Sequence, residues 1–202
     1  MRRFTYPLTA LALVMSAKLA CADPYVSVGA GAIKSLSISN DDPVEFGTDP
    51  WFVLTMAAGD DALVTVEPVD IGGELELGIV PDMPQHGDNT GKGAANHGTA
   101  DGQSVTLASV MVNVEPQVHL WDGVRAYIVG GGGLGYGNSG VGTGPAYQGG
   151  AGVKYDITNA ATADLSFRYR DINGVKFVGP ELRFTWNFDS PFGLGSKGPD
   201  EK

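Results

Sequence analysis

From Asp23 onward, apolar and polar residues alternate with period two in eight segments: 24–34, 51–66, 70–80, 104–115, 123–136, 146–157, 162–171 and 176–188. Such a period sends successive side chains to opposite faces of an extended strand. In the last segment Val178, Pro180, Leu182, Phe184, Trp186 and Phe188 share one face, and Glu181, Arg183, Thr185 and Asn187 share the other. In 162–171, Leu165, Phe167 and Tyr169 oppose Asp164, Ser166, Arg168 and Arg170; in 70–80, Ile71, Leu75, Leu77 and Ile79 oppose Asp70, Glu74 and Glu76. A chain of 202 residues with 30 Gly and 12 Pro is no helical domain, so the alternation stands as the folding instruction.

Most of the segments are about 10 residues long, which exceeds the usual strand of a soluble sandwich and suits a tilted strand crossing a bilayer. Their links alternate as well. Those at 35–50, 81–103, 137–145 and 172–175 include long or Gly-rich pieces, whereas those near 67–69, 116–122 and 158–161 are short. Short turns at one end and longer loops at the other predict an all-β fold, a closed antiparallel transmembrane β-barrel of eight strands in an up-and-down meander. A soluble sandwich would instead turn the charged faces to water. In a barrel that narrow, inward side chains fill the interior, and opposite charges there must satisfy one another. The acidic set is Glu74, Glu76, Glu115 and Glu181; the basic set is Arg125, Arg168, Arg170 and Arg183. Leu182, Phe184, Trp186 and Phe188 are expected to face lipid. Two aromatic belts follow, with Trp121, Tyr155, Trp186 and Phe188 at the short-turn end and Trp51, Tyr136, Tyr147 and Tyr169 toward the other.

The chain begins with a positive Met1-Arg2-Arg3, an apolar stretch from Leu8 to Ala17, and small residues in Ala20-Cys21-Ala22 before Asp23. Residues 1–22 are read as a secretory signal, 23–188 as the barrel and 189–202 as a polar tail. Acylation of Cys21 is disfavoured by Lys18 at the position where a lipoprotein signal carries an apolar residue. Removing 1–22 takes away the only Cys, so disulfides play no part. A formal charge of −10 leaves no basic stripe for nucleic acid.

The run from Val124 to Phe188, with RAYIVGGGGLGYG, YQGGAGVKYDIT, ADLSFRYRD and VGPELRFTWNF, resembles the last four strands of the opacity-protein-like small outer-membrane β-barrels of Gram-negative envelopes. YVSVGAGA, GELELGI and SVMVNVEP look like the first, third and fourth strands of that family. The resemblance implies eight strands, periplasmic termini, a place in the cell outer membrane, and surface roles that vary among members. Two departures stand out. WFVLTMAAGDDALVTV is broken by Gly59-Asp60-Asp61, and the chain runs on past Phe188.

Other patterns carry less. Gly130–Gly137 lacks the following helix that a phosphate-cradling loop needs. His86, His97 and His119, with Asp82, Asp88 and Asp101, match no metal-ligand spacing, and Asp41, Asp42, Glu45 and Asp49 read as an ordinary acidic loop. A lipid A-modifying hydrolase would need a nucleophile such as Ser166 beside a base, and the last four strands hold no His. No catalytic, cofactor or metal residue is assigned, and no cofactor is expected. The reading is a non-enzymatic surface barrel with an envelope-structural, adhesion or host-contact role. Its expected partners are outer-membrane lipid and lipopolysaccharide and, through its loops, a host or cell-surface ligand. A narrow transporter and a lipid A-modifying enzyme are the alternatives.

Overall fold

The computed structural model describes residues 24–36, 45–46, 50–86 and 104–188. The signal segment 1–22, most of the acidic loop, His97 and the tail 189–202 lie outside them. Eight long strands make up the wall: β1 (Pro24–Ser35), β2 (Trp51–Val66), β3 (Val69–His86), β4 (Ser104–Trp121), β5 (Val124–Gly137), β6 (Gly142–Thr158), β7 (Ala161–Ile172) and β8 (Val175–Asn187). A two-residue strand, Glu45–Phe46, pairs with the far end of β3. Each long strand pairs antiparallel with its neighbours in sequence, and β1 closes on β8 through a ladder from Tyr25 opposite Asn187 to Ser35 opposite Phe177, interrupted between Gly31 and Lys34. The result is a closed eight-strand antiparallel barrel. No helix among the described residues is long and apolar enough to cross a membrane.

The alternation sets which face is which. On β8, Leu182, Phe184 and Trp186 are 44–47 % exposed while Glu181, Arg183 and Thr185 are 1–6 % exposed. A soluble protein does not leave a whole wall of Val, Leu, Ile and Phe outside and bury its arginines; a barrel in lipid does. The belts follow with one correction. Trp121, Tyr155, Trp186, Phe188, Tyr136, Tyr147 and Tyr169 point outward. Trp51 does not, because it has the inward parity of Val53 and Thr55; it folds over the lumen mouth against a buried apolar cluster, its indole N–H donating to the Pro81 carbonyl.

Several boundaries move. β3 continues to His86 and β4 to Trp121, so the loop after β3 spans 87–103 and the link after β4 shrinks to Asp122 and Gly123. His119 therefore belongs to the end of β4, not to a turn. The β5–β6 link is 138–141 and the β7–β8 link is Asn173–Gly174. Gly59-Asp60-Asp61 does not end β2 but opens a bulge: the register against β3 shifts between Asp60 and Val64, and both aspartates become buried. No register shift interrupts the glycines of β5, which leaves Tyr136 outward.

Candidate functional site

Two layers fill the lumen. Nearest the loops 36–50 and 87–103, an apolar plug is built from Ile33, Val53, Val80, Met83, Val105, Leu107, Met111, Ala146, Ile172, Val175 and Phe177. Below it the strands turn charged residues inward. Glu76, fully buried, accepts from Arg168 Nη1 at 2.9 Å, Arg170 Nη2 at 3.2 Å and Arg183 Nη2 at 2.7 Å. Glu74 accepts from Arg183 Nη1 at 2.7 Å, Tyr25 Oη at 2.9 Å and Asn113 Nδ2 at 2.8 Å. Glu181 takes Arg170 Nη2 at 2.6 Å and the Thr55 hydroxyl at 2.8 Å. Seven of the eight charged lumen candidates thus lie in this middle layer or touch it. Glu115 is reached by Arg168 Nη2 at 3.5 Å and by Lys154 Nζ at 2.8 Å.

Arg125 lies lower. Its ion-pair partners are Asp61 at 2.8 Å and Asp156 at 2.7 Å, with no glutamate among them, and its Nη1 also donates to Gln117 Oε1 at 3.5 Å. Asp61, in phase with the inward Val53, Thr55 and Ala57, also meets Lys154 Nζ at 2.7 Å, and that ammonium sits over the Tyr127 ring at 5.0 Å. Sequence reasoning placed Asp164 on the polar face but left it, with Asp61, Lys154 and Asp156, out of the charged sets. Parity alone would have found Lys154, which stands between the outward Val153 and Tyr155; Asp61 was hidden by the break. Asp164, 1 % exposed, accepts from the Tyr127 hydroxyl at 2.7 Å and has no cation within 4.0 Å among the described residues. At the short-turn rim His119 Nε2 pairs with Asp70 at 3.0 Å. Ser166 is buried inside, its hydroxyl accepting from Arg168 Nε at 3.2 Å. Among the described residues no group of three His, Cys, Asp or Glu could hold a metal ion.

Such an interior is a filling. Taking charges out of water is offset only where geometry is good, so the network adds little net stability over an apolar filling but makes any lone survivor of a broken pair costly. With the plug above, this chemistry holds a wall in shape.

A family model described as the outer membrane protein beta-barrel domain matches residues 7–188. Comparison with curated proteins gives no match. Among solved structures the chain is similar to Neisserial surface protein A, with a TM-score of 0.55 at 15 % identity over 82 % of this chain and 97 % of that one. It also aligns with Ail, the attachment invasion locus protein of Yersinia pestis, with a TM-score of 0.46 at 12 % identity over 83 % of this chain and 99 % of that one. The outer membrane enzyme PagL aligns with a TM-score of 0.45 at 12 % identity over 80 % and 98 %. At these identities the first likeness speaks to the fold alone, and the other two carry no argument.

Proposed function

The chain belongs to the family of outer-membrane β-barrel domains, and from that premise we propose that it is a non-enzymatic surface barrel that makes contact through its loops while the lumen serves as structural filling. One observation carries this reading: both long connections, 36–50 and 87–103, leave the same end of the barrel, above a lumen stopped by an apolar plug over an ion-pair network. Charged or solute-selective pores keep their polar lining wet; here the charges are spent on one another. Long loops on a rigid scaffold are where contact residues accumulate. A hydrolase draws no support from the placed groups, because His119 sits at the short-turn rim and Ser166 points inward at Arg168.

The test separates the three roles. Deleting 88–102 should leave the barrel inserted and weaken its binding to cells, extracellular matrix or envelope components, whereas Glu181→Gln with Arg183→Gln should alter stability and leave binding intact. Normal binding by the loop-deleted protein together with lost solute uptake by the lumen double variant would replace this reading with transport. A changed lipid A mass spectrum in cells lacking the protein would replace it with an enzyme.

A further inference from the structure

Seven Lys and Arg lie among the described residues. Five of them, Arg125, Lys154, Arg168, Arg170 and Arg183, are buried in the lumen. The remaining two, Lys34 and Lys176, are outside, and they are neighbours. Lys34 stands opposite Val178 across the β1–β8 seam, and Leu36 N–H donates to the Lys176 carbonyl at 3.0 Å one step further up. Both have outward parity: Lys34 lies between Ile33 at 3 % exposure and Ser35, and Lys176 between the buried Val175 and Phe177. The ion pairs among the described residues engage neither of them. Asp171 faces Lys176 from β7, and its Oδ1 accepts the Gly174 N–H at 2.8 Å.

Directly below these lysines on the same two strands the wall is dented. Ala30 and Ala32 of β1 and Pro180 of β8 leave a groove of about 420 Å³ walled by Phe52, Leu165 and Leu182. Its floor is the seam itself. The β1–β8 ladder is interrupted between Gly31 and Lys34, where Ala32 and Ile33 lie opposite Pro180 and Gly179, and a proline has no N–H to give. Four residues of a strand tilted by about 40° put Lys34 roughly 10 Å above Ala30, so cations at headgroup height stand over an apolar slot at acyl-chain depth. The loop end of such a barrel faces outward, which makes the adjoining monolayer the outer one.

We infer that Lys34, Lys176 and the groove between Phe52 and Leu182 form a binding site for a phosphorylated, multiply acylated glycolipid of the outer leaflet, the lipid A part of lipopolysaccharide. The phosphate meets the two ammonium groups and one acyl chain lies in the slot. Charge complementarity selects this occupant: on a chain of net charge −10, these are the described wall's only outward cations, so on that wall a phosphate headgroup has one place to settle. The inference rests on the outer-membrane setting and is independent of the contact role given to the loops.

The experiment is native mass spectrometry of the purified full-length barrel in detergent with bis-phosphorylated lipid A, dephosphorylated lipid A or phosphatidylglycerol added. Wild type should retain lipid A, and Lys34→Gln with Lys176→Gln should weaken retention by roughly tenfold or more. Dephosphorylated lipid A should bind wild type as weakly as lipid A binds the double variant. Ala32→Phe, which fills the slot, should reduce retention while Val112→Phe on the opposite wall does not. Undiminished retention by the double variant overturns the site, as does phosphatidylglycerol held as tightly as lipid A, which would make the lysines general headgroup anchors. Should a variant fail to insert, added salt must still release lipid A from wild type; retention indifferent to salt also overturns the site.

Discussion

Arg183 shows what a single residue contributes here, since one guanidinium reaches Glu74, Glu76 and Glu181 at 2.7, 2.7 and 3.4 Å. Arg183→Ala would leave three buried carboxylates short of a partner, and the expected loss is about 3–5 kcal/mol, measured by urea unfolding in lipid vesicles. Asp164→Asn is the contrast. That carboxylate takes one hydroxyl and has no cation within 4.0 Å among the described residues, so the same measurement should show a change of about 1 kcal/mol or less. Parity in the sequence was enough to place the glutamates and arginines on one face, because alternation survives in every strand that bears them. It was not enough to choose partners. Asp61, the partner Arg125 finds across the lumen, keeps the inward parity of Val53 and Thr55, but Gly59-Asp60-Asp61 reads as a break; the residue the bulge buries against parity is Asp60, and no local pattern announces that. Lys34 and Lys176 were illegible for a different reason: their meaning comes from lying side by side on strands about 140 residues apart.

Among the elements, β5 makes the sharpest prediction. Gly130 and Gly131 are neighbours with opposite demands: a Cβ on Gly130 would meet nothing within 4 Å, whereas one on Gly131 would come within 1.8 Å of Asn113 Oδ1 and 2.7 Å of the Val112 carbonyl. Gly130→Ala should be neutral or stabilising by up to about 1 kcal/mol, and Gly131→Ala should destabilise, because Asn113 would have to abandon its bond to Glu74. Comparing the two unfolding midpoints checks both. On β8, Leu182→Arg should cost roughly 2–4 kcal/mol near the bilayer midplane and lower the inserted yield in vesicles. Strand existence and facing were readable from period two, but strand ends were not. Pro81, Pro84 and Pro116 look like stops, yet β3 and β4 continue through them. The register shift between Val80 and Met83, with Asp82 at φ 43°, absorbs the two prolines of β3 beyond the point where alternation fades.

For the whole molecule, the expected behaviour is that of a wall without edges. Unboiled protein in detergent should migrate on a gel differently from boiled protein, and the loop-deleted form should keep that shift. A protein recovered from the periplasmic fraction without detergent would contradict the fold. Closure has a further consequence, and it concerns the order of events. Every other ladder between the eight long strands joins strands adjacent in the chain, whereas β1 must find β8 across most of the sequence, so this ladder carries the largest loop-closure entropy and is expected to form last. It is also the ladder broken at Pro180. What spans the joint is the cargo of the lumen: Thr55 of β2 and Arg170 of β7 both hold Glu181, and Arg183 of β8 reaches Glu74 of β3 beneath β1. The filling thus works as a clasp, fastening from inside two ends that their own backbones join incompletely.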